Sequence, residues 1–264
     1  MTEKADLSGQ VAVVTGGGRG IGREFARQLA TAGAHVVVTA RTVEQLEETK
    51  ALIASANGAC STVPMDVLDE ASVNAGIHEI ESVHGRIDLL VNNAGIAGGD
   101  GMPWEVDTDA WWRTMEVNLR GPYICAKAVI PGMIERGSGR IINVGSNIAF
   151  FPWPRATAYS CSKAGLVRLS DNLAMGLKEH GISVFCISPG MVKTAMTDTV
   201  PDEFKDVEWT PIEKSGELCR VLASGRADAL SGRYIHAKEH DIEELIARAD
   251  EIVENDTQTM RLVE

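Results

Sequence analysis

The chain alternates between short runs of β-branched and apolar residues and longer stretches in which apolar positions recur every three or four residues. The short runs fall at 11–15, 35–39, 60–64, 87–91, 140–144, 182–187 and 233–236. Runs such as V-A-V-V, H-V-V-V and I-D-L-L-V carry few polar interruptions, as strands buried on both faces do. Helical periodicity covers 21–31, 43–56, 71–84, 110–134, 158–179 and 211–223. Strand followed by helix, repeated with right-handed crossovers, predicts a doubly wound α/β fold: a parallel sheet of about seven strands with helices on both faces. No linker or internal repeat interrupts this rhythm, so residues 1–264 are expected to form a single domain. Two segments depart from it. Residues 188–212, containing Pro189, Gly190, Pro201, Phe204 and Trp209, form a connection long enough to be expected as a substrate lid. Residues 238–264 lie beyond the last strand and include the helical pattern I-E-E-L-I-A-R-A-D-E-I-V. They are expected to form an extension that docks on a neighbouring subunit or closes over the site.

Composition narrows the partners. The 264 residues carry 37 acidic and 25 basic side chains, a net charge of -12. Phosphate neutralisation needs a basic face, so nucleic acid is not an expected partner. The cysteines (Cys60, Cys125, Cys161, Cys186 and Cys219) are scattered and show no C-x-x-C pairing, which points to a reducing compartment. Cys186, in I-S-V-F-C-I, reads as a small buried hydrophobe. The N-terminus M-T-E-K-A-D-L-S is too polar for a signal peptide, and no apolar run reaches membrane-spanning length. No membrane is expected as partner, and the cytoplasm is the expected location. The histidines form no H-x-x-H or H-E-x-x-H pair, and no metal is expected.

Candidate chemistry begins with Y-S-C-S-K, in which Tyr159 and Lys163 stand four residues apart and share one helical face. An ammonium beside a phenol favours the phenolate and is expected to lower the tyrosine pKa toward useful proton transfer. Ser146, thirteen residues upstream, offers a hydroxyl for the same substrate oxygen. On an ordinary amphipathic helix such a pair is merely solvated, and its weight comes from the rest of the chain. The first strand runs into T-G-G-G-R-G-I-G and then into the first helix, with Gly16, Gly20 and Gly22 at spacings that let a backbone approach a ligand closely. Helix N-terminal amides there suit a pyrophosphate. At the end of the second strand, where a dinucleotide site places a ribose-binding carboxylate, the chain has Ala40 followed by Arg41. Arg41, with Arg19 from the glycine turn, suits a 2′-phosphate and favours NADP(H) over NAD(H).

These motifs together resemble the short-chain dehydrogenase/reductase family, over about residues 7–237. The resemblance implies a Rossmann fold and a cofactor loop of Gly16, Gly18, Arg19, Gly20, Ile21 and Gly22. Asp66 and Val67 match the pair that holds the adenine, and Asn93, Ala94 and Gly95 match the fourth-strand motif against the cofactor. Pro189, Gly190, Val192 and Thr194 match the nicotinamide segment. Asn118, Ser146, Tyr159 and Lys163 complete the catalytic set. By resemblance, Tyr159 is general acid in reduction and base in oxidation. Lys163 lowers its pKa and holds the nicotinamide ribose, Ser146 holds the substrate oxygen, and Asn118 supports a proton route. The chain departs from the family after the last strand, where S-G-R-Y-I-H-A-K-E-H-D replaces a D-G-G-like turn.

Substrate contacts are expected from the strand ends: Ser146, Asn147, Trp153, Tyr159, Met191 and Met196. The aromatic stretch N-I-A-F-F-P-W-P-R, with Phe204 and Trp209, suggests an apolar wall for a hydrophobic ketone or alcohol, while Phe150 and Phe151 also suit a core and Arg155 an acidic substrate. Trp104, Trp111 and Trp112 read as anchors of a subunit interface, and a homo-oligomer, dimer or tetramer, is expected by analogy. The leading expectation is an NADP(H)-dependent oxidoreductase acting on a carbonyl or secondary alcohol. The alternatives are an NAD-dependent alcohol dehydrogenase of the same fold and a non-catalytic dinucleotide sensor.

Overall fold

A computed structural model describes residues 5–198 and 207–262. Seven parallel strands form one sheet: β1 (Val11–Thr15), β2 (His35–Ala40), β3 (Ala59–Pro64), β4 (Leu89–Asn92), β5 (Gly139–Val144), β6 (Ile182–Ser188) and β7 (Tyr234–His236). Their order is β3-β2-β1-β4-β5-β6-β7. The chain winds outward in one direction from β1 to β3 and in the other from β4 to β7. The reversal between β1 and β4 opens a crevice at their carboxyl ends, where ligands bind in such sheets.

Alternation explains how both faces are buried. On β1, Ala12 and Val14 join one apolar cluster with Phe25 and Leu29 of α1 (Gly20–Thr31) and Leu222 of α7 (Ile212–Ala223). Val11 and Val13 join a second cluster on the opposite face, with Val73, Ile77 and Ile80 of α3 (Glu70–His84) and Val129 of α5 (Gly121–Arg136). Two further helices, α2 (Val43–Ser55) and α6 (Thr157–Leu177), complete the layers. Asp69 caps α3 by accepting from Ala71 N–H, an interaction worth about 1 kcal/mol. Asp107 does the same for α4 (Thr108–Met115) through Ala110 N–H.

Three features depart from the sequence expectation. The fourth strand begins at Leu89, because Asp88 is buried with its carboxylate accepting from Val11 N–H at 2.9 Å and pairing with Arg86. The long helix expected over 110–134 is not continuous: α4 passes through a π-helical turn, Glu116–Arg120, before α5 begins. The extension is not one helix but two, α8 (Ile242–Ala247) and α9 (Ala249–Glu254). Leu245, Ala249 and Ile252 are buried in the same cluster as α1 and α7.

Within the chain, the buried face of the extension packs on its own sheet. After α9 the chain doubles back, and Gln258 C=O accepts from Tyr234 N–H at 2.7 Å along the outer side of β7. The other outward amide of that strand, His236 N–H, is taken by His240 Nδ1 at 2.9 Å. Arg168 of α6 donates to Met260 C=O at 2.6 Å, and Arg261 pairs with Asp171 at 2.7 Å. Met260 packs against Val167, Cys186 and Tyr234. No helix among the described residues is long and apolar enough to cross a membrane.

Candidate active site

At the crevice, β1 and β4 are fastened by side chains of the motif residues. Thr15 Oγ1 accepts from Asn93 N–H at 3.0 Å and Ala94 N–H at 3.1 Å. Asn93 Nδ2 donates to Thr15 C=O at 2.9 Å and to Gly16 C=O at 3.2 Å. Asn93 therefore acts as a strut that holds the glycine turn to the fourth strand. The turn has no room for side chains: a Cβ on Gly22 would lie 2.3 Å from Gly16 O and 2.4 Å from Asn93 Nδ2. Helix α1 begins with no side-chain cap and no acidic residue in its first turn, leaving the Gly20, Ile21 and Gly22 amides and the positive helix end open to an anion. Gly18 packs beside Gln45 of α2, and Gly20 beside Thr194 of the segment after β6. Arg19 and Arg41 are exposed and have no acceptor among the described residues. Asp66 follows β3 with its carboxylate accepting from Leu68 N–H at 3.1 Å, which orients it, and Val67 packs against Gly121.

The segment after β6 reaches the same crevice. Pro189 and Val192 are buried, and Gly190 has φ +78, with no space for a Cβ, which would lie 2.2 Å from Thr210 Oγ1. Thr210 N–H donates to Met191 C=O at 2.7 Å, tying the two ends of the expected lid together. Thr194 N–H donates to Thr197 Oγ1 at 2.9 Å. Lys193 lies over the Trp209 ring at 5.5 Å. The lid residues Pro201 and Phe204 lie outside the described residues.

Four side chains of the expected catalytic set converge beside this crevice. Lys163 is 5% exposed, and its Nζ donates to Val144 C=O at 2.7 Å, at the carboxyl end of β5. The same Nζ stands 5.4 Å from the Tyr159 ring centre and within 3.9 Å of the position a Cβ on Gly95 would take. The Ser146 side chain lies close enough to the Tyr159 phenol to draw its pKa down, and Ser146 also caps the short turn Asn147–Phe150. Asn118 is buried within the π-helical turn. Its Oδ1 accepts from Ile96 N–H at 2.9 Å and its Nδ2 donates to Ile96 C=O at 2.9 Å and to Ser162 Oγ at 3.1 Å. Ser162 Oγ in turn donates to Tyr159 C=O at 2.7 Å. Asn118 thus locks the segment after Gly95 to the helix that carries the tyrosine and lysine.

Burial dominates the electrostatics. It pushes the Lys163 ammonium down from 10.5 to about 8, so it is still protonated at neutral pH. Burial also pushes the Tyr159 phenol up, opposed by the nearby Ser146 side chain. The expectation that Lys163 lowers the phenol is not met in the free protein, because the ammonium is directed at Val144 C=O rather than at the phenolic oxygen. Cys186, close by, is held as a neutral thiol, pushed up to about 12 by burial.

A cleft of about 420 Å³ opens from Gly95 between the segment after β4, helix α4 and Met196. Arg19 and Arg113 both line it. Asn147 is exposed and Trp153 half-buried, and neither lines this cleft, nor does Met191. Phe150 and Phe151 are not core: they are 43% and 42% exposed. Phe150 packs edge-on against Tyr234 at 4.6 Å, a partner the sequence did not suggest. Burial pushes the Tyr234 phenol upward, and its hydroxyl lies against that of Ser188. Arg155 is ion-paired with Asp100 at 2.8 Å. Trp111 is half-buried, its Nε1–H donating to Thr157 Oγ1 at 3.1 Å, which joins α4 to α6. Trp104 and Trp112 remain exposed. Arg113 went unnoticed because a lone arginine in a helix carries no spacing signal.

Residues 10–204 match the profile of the short chain dehydrogenases, and the chain belongs to that family of oxidoreductases. A short chain dehydrogenase of Monascus ruber is 33% identical, over 98% of this chain and 88% of its own length. The 3-oxoacyl-[acyl-carrier-protein] reductase of Haemophilus influenzae is 33% identical, over 87% of this chain and 97% of its own. Among solved structures, a gluconate 5-dehydrogenase from Burkholderia cenocepacia in complex with NADP and tartrate superposes with a TM-score of 0.83. It is 31% identical and covers 88% of this chain and 95% of its own.

Proposed function

We propose that the protein is an NADP(H)-dependent oxidoreductase that interconverts a carbonyl compound and a secondary alcohol. The observation that carries this reading is the gathering of Tyr159 and Ser146 beside a buried, protonated Lys163, whose ammonium lies 5.4 Å from the tyrosine ring centre and next to Gly95. When bound, the nicotinamide supplies or accepts the hydride. The chain's own residues then have to orient and move one proton. Tyr159 gives its proton to the carbonyl oxygen in reduction and takes it back in oxidation. Ser146, close to the phenol, is placed to donate to the same oxygen. Lys163 carries the charge that steadies a phenolate as it forms, and Asn118 fixes the segment after β4 to the helix that carries both.

The cofactor's phosphates suit the open amides of α1, while Asp66, Val67, Asn93, Ala94, Gly95 and the segment Pro189–Thr194 would surround the remainder. Arg19 and Arg41 lack acceptors among the described residues, and Ala40 stands where a ribose-binding carboxylate would repel a 2′-phosphate. This favours NADP(H) over the NAD-dependent alternative. A non-catalytic sensor would have no use for a buried ammonium beside a phenol and a serine. We also read residues 1–264 as one catalytic domain, cytoplasmic, with neither nucleic acid nor membrane as partner. An apolar depression of about 470 Å³, lined by Trp112, Met115, Leu119, Tyr123 and Leu169 among others, supports a homo-oligomer.

The test is Tyr159→Phe. Turnover of a ketone panel with NADPH, followed by absorbance near 340 nm, is expected to fall at least about a hundredfold with the cofactor Kd within about twofold of wild type. Undiminished turnover in the variant would refute the assignment.

A further inference from the structure

Arginines in this acidic chain are, as a rule, spoken for. Arg86 is paired with Asp88, Arg140 with Asp228, Arg155 with Asp100, Arg226 with Glu243, Arg233 with Asp256 and Arg248 with Glu251. Among the described residues, only Arg19, Arg41, Arg113 and Arg220 have no acceptor. Arg19 and Arg41 stand at the proposed cofactor phosphates. Arg113 comes from α4 and lines the cleft that begins at Gly95, on the side away from the glycine turn that carries Arg19, which lines the same cleft.

Carboxylates near the cleft mouth are engaged elsewhere. Asp100 holds Arg155, Glu105 accepts from Met102 N–H at 2.9 Å, and Asp107 caps α4. Asp109 and Glu116, within a turn of Arg113 on the helix, form no ion pair with it. In a protein with an excess of acids, a guanidinium facing a cleft with no carboxylate against it among the described residues is a vacant anion contact.

We infer that the substrate carries an anionic group, a carboxylate or a phosphate, and that Arg113 is the residue that selects it. The inference rests on the hydride-transfer reading above. With the reacting carbon at Tyr159 and Ser146, the cleft between Gly95 and Met196 takes the substrate's charged arm, and Arg113 grips its end through a planar, bidentate contact. This replaces Arg155, which Asp100 neutralises, as the cation an acidic substrate would meet. It also turns the specificity away from a wholly hydrophobic ketone.

Two measurements test it. The first compares kcat/KM, with NADPH, for 4-oxo carboxylic acids against their methyl esters and for keto sugars against their phosphates. Wild type is expected to prefer the anion. Arg113→Leu is expected to cut the anion-to-neutral ratio at least about tenfold, mainly through KM, the scale of one hydrogen bond to a charged group, with Arg113→Lys recovering part of it. The carboxylate and phosphate arms show which anion is meant. The second is calorimetric titration of the NADP-loaded protein with glutarate, inorganic phosphate and dimethyl glutarate, which needs no turnover. Anion binding is expected in wild type and lost in Arg113→Leu. A ratio unchanged by the substitution, equal anion binding by the two proteins, or no anion binding by either would overturn the inference. So would a loss confined to the KM for NADPH, which would make Arg113 a cofactor contact. Failure of the hydride-transfer reading shows differently, as absence of NADPH turnover with every substrate while anion titration still separates the two proteins.

Discussion

Replacing Lys163 with methionine removes a charge that the free protein holds against its own stability. The side chain is 5% exposed, and among the described residues its ammonium has one hydrogen bond, to Val144 C=O at 2.7 Å, with no carboxylate beside it. Burial lowers its pKa from 10.5 to about 8. That difference amounts to about 3 kcal/mol of preference for the unfolded state while the lysine is protonated. Because the folded value lies below the unfolded one, the cost is complete below about pH 8 and fades as pH rises toward 10.5. Methionine fills nearly the same volume without charge, at the expense of a charged hydrogen bond to Val144 C=O worth about 1.5–3 kcal/mol. The net gain for the cofactor-free protein at pH 7 is about 0–1.5 kcal/mol, or a rise in Tm of roughly 0–5 °C. Differential scanning fluorimetry at pH 7 and pH 9.5 checks both the size and its shrinkage with pH, while NADPH turnover is expected to vanish. A Tm that falls by several degrees at pH 7, or a gap that fails to narrow at pH 9.5, would refute the reasoning.

Two further outcomes follow from the cofactor end. Gly22→Ala forces a Cβ to within 2.3 Å of a backbone oxygen, so the glycine turn must move. NADPH binding, read by fluorescence titration, is expected to weaken at least about tenfold while far-UV circular dichroism stays native, and a wild-type Kd would show that the turn does not hold the cofactor. Arg41→Asp places a carboxylate where the 2′-phosphate is proposed to sit. The ratio of kcat/KM for NADPH over NADH is expected to drop by about two orders of magnitude, and a wild-type enzyme that already prefers NADH would contradict the cofactor assignment.

The sheet was legible in the sequence because strands such as Val36–Val37–Val38 are buried on both sides and admit no other reading. Its fourth strand starts late for a reason no periodicity carries, the capture of Val11 N–H by Asp88 across 77 residues. The same holds for the π-helical turn, which sits where Asn118 is gripped by Ile96, 22 residues away. Motif residues with long-range duties were found by their spacing, yet their duties were not: Asn93 spends its amide on the turn itself. Tyr159 shows the limit most plainly. Spacing put an ammonium next to a phenol, whereas the direction of the phenol's shift depends on burial and on where the ammonium points. Arg155 and Arg113 exchange roles on the same ground, since only the folded chain tells which guanidinium finds a carboxylate.

The returning C-terminal segment has one more effect. A terminal strand normally offers a row of free amides and carbonyls, to which a strand of another molecule can add. Both outward amides of β7 are already satisfied from within the chain, by Gln258 C=O and His240 Nδ1. Two copies meeting at this end of the sheet therefore cannot join their sheets into one continuous structure through these groups. Any contact there has to be made by side chains packed face to face, and the returning segment around Gln258 and Met260 becomes part of whatever surface is presented.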